Sequence, residues 1–345
     1  MHRFRRPISI RNKRIVISKI NRIGDVLCAL PMASALKNKD ASCTVIFLGN
    51  SYAADVISQY VDVDEFVAWD QWQPYSFEFI IEQMQALRAD VILHVLPNRK
   101  IARLAKRAQI PVRMGTSHRL YHWTTCNFLV NIGRSKYPFH EMQFDFMHLH
   151  PFGFHKQFSL EEIIKLRQFR AFVCPLELQP LLMRSKFNLI LHPKTFVEKR
   201  EWPIENFAEL ISRLDPQQFT IFITGTEKEG LKMRASCVEP FAHVHDLTGK
   251  ISLNNFIHFV AHADGLIAAS TGPVHIAANV GIHTLGLYTA LRPYDSTRWG
   301  PIGPKAETLQ SMTNNENLDS SLKNISVDSV LAVVKRWYRD WADKS

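Results

Sequence analysis

The sequence predicts two α/β domains in series, each built on a parallel β-sheet covered by helices on both faces. At 345 residues the chain is too long for one ordinary hydrophobic core. Short apolar, β-branched segments alternate with segments of helical spacing in both halves, which is typical of repeated β-α-β units. A stretch at about 155–186, with Pro175 and Pro180, separates the halves. We therefore expect domains at 1–170 and 171–325.

The first half begins with a buried strand, RIVISKI, followed by a turn, NRIGD, and a helical segment. Strands are expected at five segments, namely 14–20, 43–49, 65–69, 90–95 and 112–115. Helices fit between them near 51–60, 75–88 and 98–108.

The second half repeats the pattern. Its strands are expected at 188–193, 219–225, 244–247, 264–270 and 283–288. Its helices fit near 203–214, 227–236, 252–262 and 273–280. The last segment, 326–345, has an apolar stripe at helical spacing, so we expect an amphipathic helix that packs back on the first domain.

Composition points to a cytoplasmic protein without a metal or an organic cofactor. The sequence has no run of about 18 apolar residues, the length needed to span a membrane, and no apolar region follows the basic N-terminus. The five cysteines are scattered without a C-x-x-C pair, which argues against disulfides and a zinc cage. Two i,i+4 histidine pairs lack a neighbouring carboxylate or cysteine, and the nicotinamide fingerprint G-x-G-x-x-G and the P-loop are absent.

The net charge of +10 lies entirely in the first half. Residues 1–170 hold 24 Lys and Arg against 14 Asp and Glu, whereas residues 171–345 hold 18 of each sign. Residues 91–140 contain nine basic residues and no acid. A field of one sign attracts a polyanion such as nucleic acid, anionic lipid or phosphorylated glycan. The basic side chains of this stretch that we expect to bind such a partner are Arg99, Lys100, Arg103, Lys106, Arg107, Arg113 and Arg119.

The stretch that contains Arg113 and Arg119 is also rich in aromatic residues. It adds Tyr121 and Trp123, with His118 and His122, to the basic side chains. Such a combination suits an anionic membrane surface.

A second segment, Ser270-Thr271-Gly272-Pro273-Val274-His275, joins a predicted strand to a predicted helix. Thr271 or Gly272 can cap the helix, and Pro273 fits its first turn. Free backbone N–H groups and the helix dipole then converge on one point, which favours an anion. His275 could add a donor.

This segment resembles the nucleotide-diphosphate segment of the lipopolysaccharide heptosyltransferases, glycosyltransferase family 9. Three more segments agree with the family in the expected order. They are Ile23-Gly24-Asp25-Val26-Leu27 with Ala29-Leu30-Pro31, Leu191-His192-Pro193 with Lys199-Arg200-Glu201-Trp202-Pro203, and Gly225-Thr226-Glu227. Together the four segments cover nearly the whole chain.

The resemblance implies a GT-B fold, in which two Rossmann-like domains face each other across a cleft. It also implies inverting, metal-independent transfer of a heptose from ADP-heptose to the inner core of lipopolysaccharide. Asp25 matches the general base, although its position alone equally fits an acid that complements a helix dipole. The nucleotide-sugar contacts implied are Lys199 or Arg200 at the diphosphate, Glu227 at the ribose, and Ser270, Thr271, Gly272, Pro273 and His275.

The resemblance also implies an acceptor for the basic first half. Inner-core lipopolysaccharide is anionic and lies at the inner membrane, so we expect Arg99, Lys100, Arg103, Arg113 and Arg119 to contact it. The protein would then sit peripherally on the cytoplasmic face of that membrane.

Three alternatives stay open. Many members of the family have Asp where this chain has Ser270, so the donor could be another nucleotide sugar. A nucleotide-sugar epimerase of the same build would not need the basic face. A nucleic-acid-binding protein would account for the charge, but the sequence shows no nucleic-acid-binding module, and we expect no such partner.

Overall fold

The computed structural model describes residues 7–134, 137–154, 157–195, 200–311 and 322–343. The chain divides into two compact units, Met1–Arg170 and Ala171–Ser345. Each unit contains a six-stranded sheet in which every neighbouring pair of strands is parallel. Helices cover both faces of such sheets, which explains why the strand sequences are nearly continuous apolar runs.

The sheet of the first unit has the strand order β3-β2-β1-β4-β5-β6. Its strands are β1 (Arg14–Ser18), β2 (Thr44–Gly49), β3 (Glu65–Ala68), β4 (Val91–His94), β5 (Val112–Thr116) and β6 (Phe128–Val130). The strand order reverses beside β1, because β2 lies on one side of it and β4 on the other. Open α/β sheets bind ligands at the carboxyl ends of the strands at such a point.

The helices of the first unit fill the connections between these strands. They are α1 (Ile23–Ala29), α2 (Pro31–Lys39), α3 (Ala54–Ser58), α4 (Trp69–Trp72), α5 (Phe77–Ala86), α6 (Arg99–Arg107), α7 (Leu120–Thr125), α8 (Glu141–Phe146) and α9 (Leu160–Lys165). Local capping fixes where some begin: the Ser76 hydroxyl accepts the Phe79 N–H at the start of α5, and the Asn98 side chain accepts the Ile101 N–H at the start of α6. Apolar side chains of α5 and α6 then pack on β1, β2 and β4 in one buried cluster.

The sheet of the second unit has the order β12-β11-β10-β7-β8-β9. Its strands are β7 (Phe187–His192), β8 (Phe219–Ile223), β9 (Val244–Asp246), β10 (Gly265–Ala269), β11 (His283–Tyr288) and β12 (Ala306–Gln310). Its helices are α10 (Ile204–Ser212), α11 (Glu227–Gly230), α12 (Arg234–Cys237), α13 (Leu253–Val260), α14 (Gly272–Val280), α15 (Ser296–Trp299) and α16 (Val327–Ala342). The strand order of this sheet reverses at β7 and β10, so the carboxyl ends of these strands are again the expected place for a ligand.

Helix α16 corrects one expectation. We expected it to pack on the first unit, but the structure places its apolar stripe in the core of the second. Val334 and Trp337 are buried in one cluster with Phe187 and Phe207. Just before the helix, the Ile325 carbonyl accepts the Trp202 indole N–H at 2.8 Å. Burial of these large side chains fixes the helix where its apolar stripe matches the faces of α10 and the sheet.

The ten strands predicted from the sequence are confirmed, whereas β6 and β12 were missed. Both are edge strands, and most of their residues keep some solvent exposure. In the described parts of the chain, no helix is long and apolar enough to cross a membrane.

Candidate active site

Asp25 lies at the carboxyl edge of the first sheet, in the first turn of α1 directly after β1. It is half-buried, and the Asn21 side chain hydrogen-bonds its carboxylate. No side chain caps the start of α1 at Arg22. The hydrogen bond from Asn21 thus restrains the carboxylate of a residue that keeps partial solvent exposure.

A buried ion cluster, consisting of Lys19, Arg134, Glu141 and Asp145, adjoins Asp25. The Lys19 ammonium, fully buried after β1, lies 2.6 Å from Asp145 Oδ2 and 3.8 Å from Glu141 Oε1. The Arg134 guanidinium lies 3.0 Å from Glu141 Oε1 and 3.9 Å from Asp145 Oδ1. Sequence reasoning gave none of these residues a role in the chemistry, because the partners are far apart along the chain.

These charges decide the proton affinity of Asp25. Burial raises the pKa of the Asp25 carboxyl, and the Glu141 carboxylate raises it further. Lys19, the hydrogen bond from Asn21 and Arg22 oppose this rise without cancelling it. Burial also acts to lower the pKa of Lys19, but the carboxylates of Asp145 and Glu141 outweigh it and raise that pKa. Asp25 therefore binds a proton more readily than an ordinary aspartate, which suits a general base.

The segment Ser270–His275 lies at the carboxyl edge of the second sheet, between β10 and the start of α14. Thr271 is the extended N-cap residue, and its side chain makes no capping hydrogen bond. Pro273 stands in the first turn, as predicted. The first turn of α14 therefore directs backbone N–H groups outward without a capping side chain, an arrangement that favours an anion. His275 is buried, and its carbonyl accepts the Asn279 side-chain amide at 2.7 Å.

Arg200 is held by an aromatic ring. Its guanidinium lies 3.6 Å from the ring centroid of Tyr294, in the loop after β11. Its buried Nε has no hydrogen-bond partner among the described residues. Lys199, the other candidate for the diphosphate contact, lies outside the described residues. The same connection after β7 contains Lys194, whose ammonium lies 2.8 Å from Glu201 Oε2.

Glu227 follows β8, at the same edge of the sheet, and is already paired. Its two carboxylate oxygens each accept a hydrogen bond of 2.7 Å from the Arg234 guanidinium. Arg234 in turn donates from Nε to Asp246 Oδ2 at 2.8 Å. Gly249, at φ +68°, packs so close to Glu227 that a Cβ on the glycine would lie 2.5 Å from Oε2. The arginine and the glycine therefore fix the carboxylate in one orientation, a support that the sequence analysis missed.

The basic surface of the first unit is carried mainly by α6. Arg99 and Arg103 are exposed on its outer face, and Lys100 lies over the rings of Trp69 and Phe77. Arg119, just before α7, is exposed as well.

Arg113 differs from the expectation. Its guanidinium turns into the fold, where Nε donates to the Thr125 carbonyl at 2.8 Å and Nη1 donates to the Ile110 carbonyl. These bonds satisfy carbonyl groups that follow α6 and end α7, so Arg113 has a structural role.

Helix α7 adds exposed apolar side chains to this surface. Leu120 is 88% exposed and Trp123 is 63% exposed, and the Trp123 indole N–H donates to the Ser117 carbonyl at 3.0 Å. The Lys106 ammonium on α6 reaches the Thr124 carbonyl at 2.8 Å, which joins the two helices. Two large apolar side chains therefore stand in solvent beside several cations.

Comparison with known proteins identifies the family of this chain. The sequence profile described as "Glycosyltransferase family 9 (heptosyltransferase)" matches residues 79–325. The chain belongs to glycosyltransferase family 9. It is therefore a glycosyltransferase, and the resemblance seen in its sequence motifs is confirmed.

Similar proteins agree with this family 9 assignment. A putative glycosyltransferase of Haemophilus influenzae is 22% identical over 95% of this chain and 97% of its own length. The crystal structure of a family 9 glycosyltransferase from Veillonella parvula superimposes with a TM-score of 0.81 at 17% identity, covering 97% of this chain and 99% of that one. The Escherichia coli heptosyltransferase WaaC with ADP gives a TM-score of 0.74 at 19% identity, covering 94% and 99%. At such identities the structures show the fold, which is of the GT-B class.

Proposed function

We propose that this glycosyltransferase moves a heptose from ADP-heptose to the inner core of lipopolysaccharide, with Asp25 as general base. The observation that best supports this role is the environment of Asp25. The residue is half-buried, its carboxyl has a raised pKa, and it follows the inner strand β1 at the carboxyl edge of the sheet. Membership of family 9 supports sugar transfer in general, and the description of the family as heptosyltransferases supports heptose as the transferred sugar.

The proposed reaction is a single displacement. The acceptor hydroxyl oxygen attacks the anomeric carbon of the heptose while Asp25 takes the hydroxyl proton. The bond from the anomeric carbon to the phosphate oxygen breaks, and ADP leaves with that electron pair. Attack opposite to the leaving group inverts the anomeric configuration.

The second unit is proposed to hold the nucleotide. The uncapped first turn of α14, from Thr271 to His275, offers backbone N–H groups to the diphosphate. Arg200 or Lys199 adds positive charge to the leaving group, in place of a divalent metal. Glu227, oriented by Arg234, accepts hydrogen bonds from ribose hydroxyls. That the WaaC structure was determined with ADP supports this nucleotide.

The first unit is proposed to hold the acceptor. The exposed cations Arg99, Arg103 and Arg119, with Lys100, offer charge-assisted hydrogen bonds to phosphate and carboxylate groups of the inner core. The exposed Leu120 and Trp123 of α7 are proposed to enter the headgroup region of an anionic membrane. The enzyme would then work as a peripheral protein on the cytoplasmic face of the inner membrane.

Ser270 favours a second candidate, a transferase of the same fold that uses another nucleotide sugar. In many family members this position holds Asp, and a hydroxyl cannot supply the negative charge of a carboxylate. Replacing a carboxylate by a hydroxyl in the segment Ser270–His275 changes the hydrogen bonds and charge that the site can present to the donor sugar.

The test is transfer from a panel of ADP-, GDP- and UDP-sugars, with and without a Kdo-lipid A or heptosylated acceptor. We expect ADP release and a heptosylated product that require both ADP-heptose and acceptor, and that persist in EDTA. Product from another donor would establish the second candidate. Interconversion of free sugar nucleotides without acceptor would instead indicate an epimerase.

The role of Asp25 is tested by Asp25→Asn, which keeps the size and shape of the side chain. General-base catalysis contributes about 10²–10⁴-fold, so kcat should fall by about that factor while the Kd for ADP stays unchanged. Glu161→Gln, an exposed acid on α9 in the same unit, is the control and should retain full activity. Wild-type kcat in Asp25→Asn would refute the assignment.

A further inference from the structure

The buried ion cluster beside Asp25 has an unusual balance of charge. With Asp25 it brings together three carboxylates, Asp25, Glu141 and Asp145, and two cations, Lys19 and Arg134. Buried ion pairs cost solvation and are weak sources of stability, and apolar residues of similar volume often replace them without loss. A cluster with more acids than bases is costlier still. Its position at the proposed base therefore suggests that it serves the chemistry.

Direct contacts join the cluster members to one another, and the packing of α8 against α1 places them beside the helix that carries Asp25. Lys19 leaves β1 six residues before Asp25, and its ammonium is anchored on Asp145 Oδ2 at 2.6 Å. Glu141 and Asp145 are one helical turn apart on α8, which packs against α1. Arg134 Nη2, at 3.0 Å from Glu141 Oε1, fixes the glutamate from the other side.

We propose that Lys19 and Glu141 are paired positioning residues for the Asp25 carboxylate, with Lys19 stabilising its negative charge, Glu141 opposing it, and Asp145 anchoring the lysine. This inference rests on the proposed role of Asp25 as base. The lysine keeps the base ionised before reaction, while the glutamate increases its affinity for the proton that it must accept.

Other charged or titratable groups also act on this region. Those facing Asp25 or the cluster are Arg22 and Cys28 on or next to α1, Tyr52 after β2, Arg134 before α8, and His148 after it. Burial raises the pKa of the Cys28 thiol and lowers the pKa of His148 to about 3, so both are neutral at physiological pH. The charges that oppose each other at Asp25 are thus those of Lys19 and Arg22 against Glu141.

The test uses substitutions that push Asp25 in opposite directions. Lys19→Met/Asp145→Leu removes the buried pair together, so neither charge is left unpaired. Glu141→Gln removes the opposing charge and keeps an oxygen for Arg134. We expect the acidic limb of the kcat/KM profile to move to higher pH in the double variant and to lower pH in Glu141→Gln. Within that limb, each pH unit of movement changes kcat/KM by about tenfold at a fixed pH.

A control variant tests whether the loss of any ion pair next to β1 would move the acidic limb. Lys13→Met removes the cation of the more exposed Lys13–Asp90 pair, which lies 2.8 Å apart at the opposite end of β1. It should leave the limb unmoved. Limbs that stay in place, or that move in the same direction in the double variant and in Glu141→Gln, would overturn the proposal. If the double variant does not fold, the downward shift in Glu141→Gln still decides the matter.

Failure of this proposal is distinguishable from failure of the proposed function. Full activity in Asp25→Asn would show that Asp25 is not the general base, regardless of the results for the cluster variants. Loss of activity in Asp25→Asn with unmoved limbs in the cluster variants would reject only the positioning roles. If no transfer is found with ADP-heptose, the ¹³C shift of the Asp25 carboxyl, titrated in the free protein, should show the same opposite movements.

Discussion

His94, the last residue of β4, should make the protein sensitive to acid. Its ring is completely buried, and neither ring nitrogen has a hydrogen-bond partner within the described residues. The ring stacks on His122 with centroids 5.6 Å apart. Burial, together with the neighbouring His122, His148 and Arg113, lowers the pKa of His94 to about 3. We predict that His94→Leu reduces the acid sensitivity.

The magnitude follows from proton linkage. The ordinary pKa of histidine is 6.5, so between pH 6.5 and about 3 the unfolded chain binds a proton at His94 that the folded chain does not. The stability contributed by this residue is therefore complete above pH 6.5 and is lost as the pH falls toward 3. At about 1.4 kcal/mol per pH unit, lowering the pH from about 7.5 to about 5 costs about 2 kcal/mol. His94→Leu should avoid this loss.

The assay is urea unfolding of the wild type and of His94→Leu at both pH values, followed by circular dichroism. The free energy of unfolding of the variant, relative to wild type, should rise by about 2 kcal/mol between the higher and the lower pH. His118→Gln, at an exposed histidine on the same unit, is the matched control. Equal losses of stability in wild type and His94→Leu would show that the folded protein accommodates the protonated ring, and would refute the reasoning.

Two further predictions concern ligands. Tyr294→Leu removes the aromatic ring that contacts the Arg200 guanidinium. Because a cation–π contact contributes about 0.5–2 kcal/mol, KM for the donor should rise about 2- to 30-fold in this variant and stay near wild type in Tyr294→Phe. Equal KM values in the two variants would contradict this. Leu120→Ser/Trp123→Ser should weaken binding to vesicles containing phosphatidylglycerol by at least about tenfold in a sedimentation assay. Leu176→Ser, at a leucine that is 80% exposed on the second unit, is the control, and an equal loss there would argue against α7 as the contact.

The sequence predicted the inner strands well because each is a short apolar run. Every residue of segments such as Phe187–His192 is buried, and continuous burial leaves a signal that needs no knowledge of the neighbours. The edge strands β6 and β12 leave no such signal, since their side chains are partly in solvent. The position of α16 could not be predicted either, because an apolar stripe shows that a helix is covered but not by what.

The candidate site was predictable only where function lies in local motifs. Asp25 and Ser270–His275 each follow a strand directly, so strand prediction alone placed them at carboxyl edges. The contact between Lys19 and Asp145 joins residues 126 positions apart, and no local pattern records it. A lysine inside an apolar strand segment, ISKI, was the available signal, since a buried lysine needs an anionic partner.

The place of α16 in the core of the second unit has a consequence for synthesis on the ribosome. The strands and helices of the first unit are complete by Arg170, so that unit can close its core while the rest is still being translated. The second unit has no such opportunity, because Val334 and Trp337 fill a core whose other walls are made by strands from Phe187 onward. Its sheet must wait, with an apolar face open, until Val327–Ala342 have been translated. A chaperone that binds nascent chains should therefore be recruited by this half of the protein.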